Sequence, residues 1–237
     1  MEREMISYND ELEEVEIIDP KKMGVNDPFE KEARKLLKEE ESECFKQLYI
    51  GIDPGWTNFG IASCFAEVDP ANKKVKFHAE VRCFELFAPG TQMTTHNLLV
   101  PLSSCFYRYF PRDEDVCKAF VLQESQYFNP RGANVAVSHN LCRMNDILHT
   151  FVETKYNTVM HTIKPADIKR FFKTSKGEHA KNKKAALEAV ENFVPEVKGK
   201  INDHHADAWL LIYYKALLNY PGYHFDLKIS VLPKENK

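Results

Sequence analysis

The sequence lacks the features that most directly assign a chain to a compartment or a scaffold. No apolar run approaches the ~18 residues that a bilayer-spanning helix needs, so no transmembrane helix is expected. The opening stretch, Met1-Glu-Arg-Glu-Met-Ile-Ser, has no apolar h-region, and no secretory signal is expected there. The six cysteines (Cys44, Cys64, Cys83, Cys105, Cys117, Cys142) form no C-x-x-C pair. That scatter argues against structural zinc and against a disulfide framework, and it points to a reducing intracellular compartment. A large excess of one charge sign is also missing. The formal net charge is −3, which taken alone argues against a polyanionic partner.

The average hides two unlike regions. Residues 1–47 hold 15 acidic and 8 basic side chains, a net of −7, leaving 20 acidic and 24 basic in residues 48–237, a net of +4. The first region has Glu13-Glu14 and Glu39-Glu40-Glu41, few aromatics and little apolar periodicity before Phe29. It reads as an acidic, largely disordered extension over residues 1–46, with one helix plausible from about Pro28 to Lys46. In the body, His161–Lys200 holds ten Lys/Arg against five Asp/Glu, with Phe171 and Phe172 interleaved. Such a run is often no more than a solvated helix face. Its density also suits a nucleic-acid backbone.

Apolar runs outline the body, residues 47–237. Leu48–Ile52, Phe59–Phe65 and Lys74–Phe87 read as three strands joined by short links. Asn97–Phe110 has helical spacing, and Ala119–Gln123 is a fourth buried strand. Asn134–Tyr156 is a long amphipathic helix, Val159–Ile163 a fifth strand, and Pro165–Lys173, Ala180–Phe193 and Asp203–Leu218 are three further helices. Pro165 suits a first helical position, where the missing N–H costs nothing. The order predicts one mixed α/β domain, a five-stranded mixed sheet flanked by helices.

Acids stand at the ends of several elements. Asp53 follows the first strand at Asp53-Pro54-Gly55, where a turn Asp satisfying its own backbone is the ordinary explanation. Glu124 ends the fourth strand, and a Glu is harder to explain as turn chemistry. In Asn202-Asp203-His204-His205-Ala206-Asp207, Asp203 suits an N-cap. Asp207 lies inside the helix, on a face shared with His204 and Asp203. Acids gathered at one sheet edge repel one another unless they hold divalent cations, and oxygen ligands favour Mg²⁺ or Mn²⁺.

Three blocks together resemble the RuvC-type Holliday-junction resolvases, including those of large DNA viruses of the poxvirus kind. They are Ile50-Gly-Ile-Asp53-Pro-Gly55-Trp-Thr57-Asn-Phe-Gly60, then Leu122-Gln-Glu124-Ser-Gln-Tyr127, then His204-His-Ala206-Asp207-Ala208. Each block alone is weak, but their order and spacing hold from about Leu48 to Tyr220. The resemblance implies a ribonuclease-H-like fold, a homodimer, and a Mg²⁺-dependent endonuclease that nicks two opposing strands of a four-way DNA junction. It implies Asp53, Glu124 and Asp207 as catalytic acids holding two metal ions, Mg²⁺ or in its place Mn²⁺. His204 stands where many members have Asp and some have His, and Asp203 is the alternative for that role. Tyr127 matches an aromatic at the junction's opened base pairs, although core packing would explain Tyr127 and Phe128 as well. Lys169, with Lys181 or Lys183, falls near the family's phosphate-positioning bases.

Three other readings compete. One is a non-catalytic junction-binding or scaffolding protein on the same fold, against which it counts that all four acid or His positions are filled. Asp53-Pro-Gly55-Trp-Thr57-Asn58 also resembles the first phosphate loop of actin-like ATPases and sugar kinases. Those chains need a second Asp-x-Gly loop in a duplicated domain, and the sequence has none. A ribonuclease or a transposase-like nuclease on the same fold differs from a resolvase only through Tyr127 and the viral-type pattern. The expectation is therefore a DNA-binding, intracellular nuclease with no membrane partner, acting at the site of viral DNA replication if its source is viral.

Overall fold

In the computed structural model, the described residues are 44–55, 58–85, 99, 103, 106, 116–125 and 135–233. All of them belong to the compact unit Ser42–Lys237. The acidic extension, Tyr127 and most of the helix expected at Asn97–Phe110 lie outside the described residues; of that helix Leu99, Ser103 and Phe106 are described, and all three are helical.

Strand β1 (Phe45–Asp53) pairs antiparallel with β2 (Asn58–Asp69), which pairs antiparallel with β3 (Lys74–Glu85). Strand β4 (Val116–Glu124) returns parallel to β1, helix α1 (Val135–Tyr156) crosses over, and β5 (Met160–Ile163) lies parallel to β4. Helices α2 (Pro165–Phe171), α3 (His179–Phe193) and α4 (Asp203–Asn219) follow, and β6 (His224–Val231) closes the far edge parallel to β3. The sheet order is β5-β4-β1-β2-β3-β6. Among the described residues no helix is long and apolar enough to cross a membrane.

The mixed α/β class agrees with the sequence reading, and the sheet has six strands rather than five. The extra strand, His-Phe-Asp-Leu-Lys-Ile-Ser-Val, alternates polar and apolar residues and is only half-buried, as an edge strand is. Its alternation resembles that of β3, and only its pairing with β3 makes it a strand.

Two cores flank the sheet. On one face Tyr49, Phe120, Leu122 and Phe77 pack against Trp209, Leu210, Ile212 and Tyr213 of α4. On the other, Leu48, Ile50, Ile52 and Val121 pack against Met144, Leu148, Phe151 and Val152 of α1. Strand alternation sorts the residues between them: Tyr49, Gly51 and Asp53 share the α4 face, as do Phe120, Leu122 and Glu124.

Candidate active site

The site is built where three parallel strands end together. Ile52 is level with Gln123 across β1 and β4, so the next residues, Asp53 and Glu124, emerge side by side. Ile163, the last residue of β5, is level with Glu124, and the chain then turns through Lys164 into α2. The carboxyl ends of parallel strands in an open α/β sheet are where such folds bind ligands.

Helix α4 brings the third acid. It lies so close to the sheet that a Cβ on Gly51 would stand 2.3 Å from the Ala208 carbonyl oxygen. A Cβ on Gly60 would stand 2.3 Å from the His204 carbonyl oxygen. Only glycine permits this approach, which carries the first two turns of α4 over the ends of β1 and β2. The helix opens on Asn202, whose side chain accepts from the His205 N–H at 3.0 Å while His205 Nδ1 accepts from the Asn202 N–H at 3.1 Å. This capping box replaces the Asp203 cap expected from the sequence: Asn202 already has the extended backbone of a cap and the side-chain oxygen to fill it. It also buries His205, which an exposed first-turn position would not.

Asp53, Glu124, His204 and Asp207 thus line one cavity of about 250 Å³, together with Lys169, Asn182, Lys183 and Thr174. His204 Nδ1 donates to Asp53 Oδ2 at 2.6 Å, and that bond raises the imidazole's pKa even though burial opposes its charge. Burial pushes Glu124 up to about 8, and the charges of Asp53 and Asp207 add to the rise. Asp207 is pushed up to about 7 by the same causes, burial first and then Asp53. Glu124 and Asp207, raised by burial and by the charge of Asp53 beside them, form a set whose ionised state calls for a cation.

Their donor chemistry fits a hard divalent ion: oxygen ligands, with one imidazole nitrogen suited to Mn²⁺. Among the described residues no group of three or more His, Cys, Asp or Glu side chains is placed so that it could hold a metal ion as it stands. The carboxylates border the cavity instead, and one Asp53 oxygen is engaged by His204.

Other sequence-level candidates separate clearly. Asp203 is not among the cavity's walls; its carboxylate is bound by the Lys183 ammonium from α3. Burial opposes charge on both partners, yet this bond prevails, lowering Asp203 and raising Lys183. Of the alternative lysines, Lys183 borders the cavity, whereas Lys181 is exposed and pairs with Glu178 at 2.8 Å. Lys169 borders it too. Thr174 and Asn182 were not anticipated. Asn182 Oδ1 accepts from the Lys176 N–H at 2.6 Å and so ties down the loop after α2, a contact that no local motif signals.

The architecture has counterparts among solved structures. Thermus thermophilus RuvC matches with a TM-score of 0.51 at 16% identity, covering 73% of this chain and 98% of that one. The chain has the RuvC fold. A second structure, T. thermophilus RuvC in complex with a Holliday junction substrate, matches with the same TM-score and identity over 74% of this chain and 97% of that one. No family model matches the sequence, and no curated protein does either. The RuvC likeness agrees with the ribonuclease-H-like α/β class that the three sequence blocks implied.

Proposed function

We propose that the protein is a metal-dependent endonuclease that resolves four-way DNA junctions by paired nicks, acting as a homodimer on branched DNA. The observation that carries this reading is the convergence of Asp53, Glu124 and Asp207, from two strand ends and a helix, on one cavity bordered by Lys169 and Lys183. The likeness to RuvC supports it through the fold.

Asp53, Glu124 and Asp207, with His204, would hold Mg²⁺ or Mn²⁺, two ions per site, which supply water activation and charge neutralisation for phosphodiester hydrolysis. Lys169 and Lys183 offer cationic contacts to the non-bridging oxygens of the bound phosphate, where charge grows as the bond breaks. The Nδ1–H of His204 donates to the Asp53 carboxylate, which leaves Nε2 free either to hold a metal ion or to take up and release a proton. The apolar walls, Ile168, Leu210 and Leu211 among them, limit competing water.

The test is cleavage of a synthetic four-way junction beside linear duplex and an RNA–DNA hybrid, with Mg²⁺ and with EDTA. Paired symmetric nicks in the junction alone are expected, lost in EDTA. Asp53→Asn is expected to abolish cutting while junction binding persists. A cut hybrid beside an intact junction would assign the fold to a ribonuclease instead.

A further inference from the structure

We propose that a second, basic cleft beside the cavity holds the phosphodiester strand as it leaves the reacting phosphate. The cleft, about 640 Å³, is lined by Lys164, Pro165, Ala166, Lys169, Arg170 and Ser175. It shares Pro165 and Lys169 with the acidic cavity, so the two are neighbouring chambers with a common wall. They differ in character: the cavity mixes acids with Lys169, Lys183 and His204, whereas the described lining of the cleft holds three cations, a hydroxyl and no acid.

The placement follows from the topology. Strand β5 ends level with Glu124, so the residue that leaves it, Lys164, starts beside the acids. Lys169 and Arg170 stand in the last turn of α2, and Ser175 lies on the loop beyond. The cleft therefore follows the whole length of α2, and its charge comes from side chains. Among the described residues, none of the three cations has an ion-pair partner, whereas Lys183 is bound to Asp203 and Lys181 to Glu178. Lys164 and Arg170 are exposed and Lys169 is half-buried. Unpaired cations gathered in one cleft match a polyanion, and a row of phosphates at regular spacing is the polyanion that would also reach the carboxylates next door. Lys169 then bridges the reacting phosphate and its neighbour, while Lys164 and Arg170 hold the next one or two. The contacts are to backbone alone, so they fix register without selecting sequence.

This inference rests on the nuclease reading for the identity of its ligand, but its test is binding, not cutting. The affinity of the full chain for a labelled four-way junction is measured by fluorescence anisotropy in EDTA across a salt series. The comparison is among the unaltered protein, Lys164→Gln/Arg170→Gln, and the control Lys74→Gln/Lys228→Gln. The control removes the same charge from exposed positions on β3 and β6, at the other end of the sheet. Gln keeps much of each side chain's length, so folding is preserved, and circular dichroism checks it. Loss of two phosphate contacts lowers the slope of log K against log salt by about 1.4 to 1.8 and weakens binding alike on junctions of different sequence. The control slope stays that of the unaltered protein. An unchanged slope in the cleft variant, an equal drop in the control, or no DNA binding by the unaltered protein would each overturn the proposal. Binding with the expected slope but no cleavage in Mg²⁺ would leave the cleft standing and defeat the nuclease reading.

Discussion

At the scale of single residues, the notable fact is that two carboxyl groups sit well above their ordinary values, Glu124 at about 8 and Asp207 at about 7. A group raised in the folded state binds protons more tightly there than in the unfolded chain. Its stabilisation is complete at acid pH and is lost as pH rises through the folded value. His204, raised by its bond to Asp53, adds to the trend in the same direction. In EDTA, the melting temperature is therefore expected to fall from pH 5 to above pH 8. Each carboxyl group contributes a slope of at most about 1.4 kcal/mol per pH unit between its two values. Mg²⁺ removes the cost of ionising these acids and is expected to restore the melting temperature most at high pH. A calorimetric series that is flat in EDTA, or in which Mg²⁺ stabilises equally at pH 5 and pH 8.5, would contradict the assignment of these carboxyl groups as ligands.

At the scale of elements, the site depends on how deeply α4 can settle on β1 and β2. Gly51 meets Ala208 and Ile212, and Gly60 meets His204, so each glycine stands under a different turn of the helix. Gly51→Ala forces a methyl to within 2.8 Å of Ile212 Cγ2 and closer still to backbone, which side-chain rotation cannot relieve. The helix must lift. The expected cost is about 1–3 kcal/mol in urea unfolding, with a loss of junction cleavage larger than the unfolded fraction explains, because Asp207 moves away from Asp53 and Glu124. Cleavage that scales only with the folded fraction would mean that the helix depth does not set the acids' spacing.

These elements also explain what the sequence could and could not disclose. Ile50-Gly-Ile-Asp53 and Val121-Leu-Gln-Glu124 are buried runs that end in an acid, and burial and chain reversal are both local signals. Asp207 was readable because an acid amid Ala206, Ala208 and Trp209 has no reason to be there for packing. Three things were not local. Asn202 displaced Asp203 as cap because the choice turns on one residue's backbone conformation, and both residue types suit it. The fate of Asp203 depended on Lys183, twenty positions earlier on another helix. The sixth strand needed β3 as a partner before its weak alternation had meaning.

At the scale of the molecule, charge is divided along the chain rather than absent. The −7 of residues 1–47 stands against +4 in the rest, and the basic cleft lies in that second part. Removal of residues 1–43, which stops short of β1 at Phe45, deletes all 15 acidic side chains of the first region without cutting the sheet. Non-specific DNA binding at low salt is expected to tighten, and the difference is expected to shrink toward 0.2 M salt as the Debye length falls below about 10 Å. Equal affinity of the two chains in a low-salt anisotropy titration would show that the acidic region does not compete for the basic surface.

The bond between His204 and Asp53 joins residues 151 positions apart, and Glu124 comes from a third part of the chain. Seen from synthesis, the acids that would cut DNA leave the ribosome at widely separated moments, and no partial product holds all of them. Non-local closure of this kind is a late event in folding. A nascent or proteolytically shortened chain that lacks α4 cannot assemble the acids, and it also loses the packing of Ile168 and Phe171 of α2 against that helix. On the proposed function, only a chain that includes α4 is a nuclease.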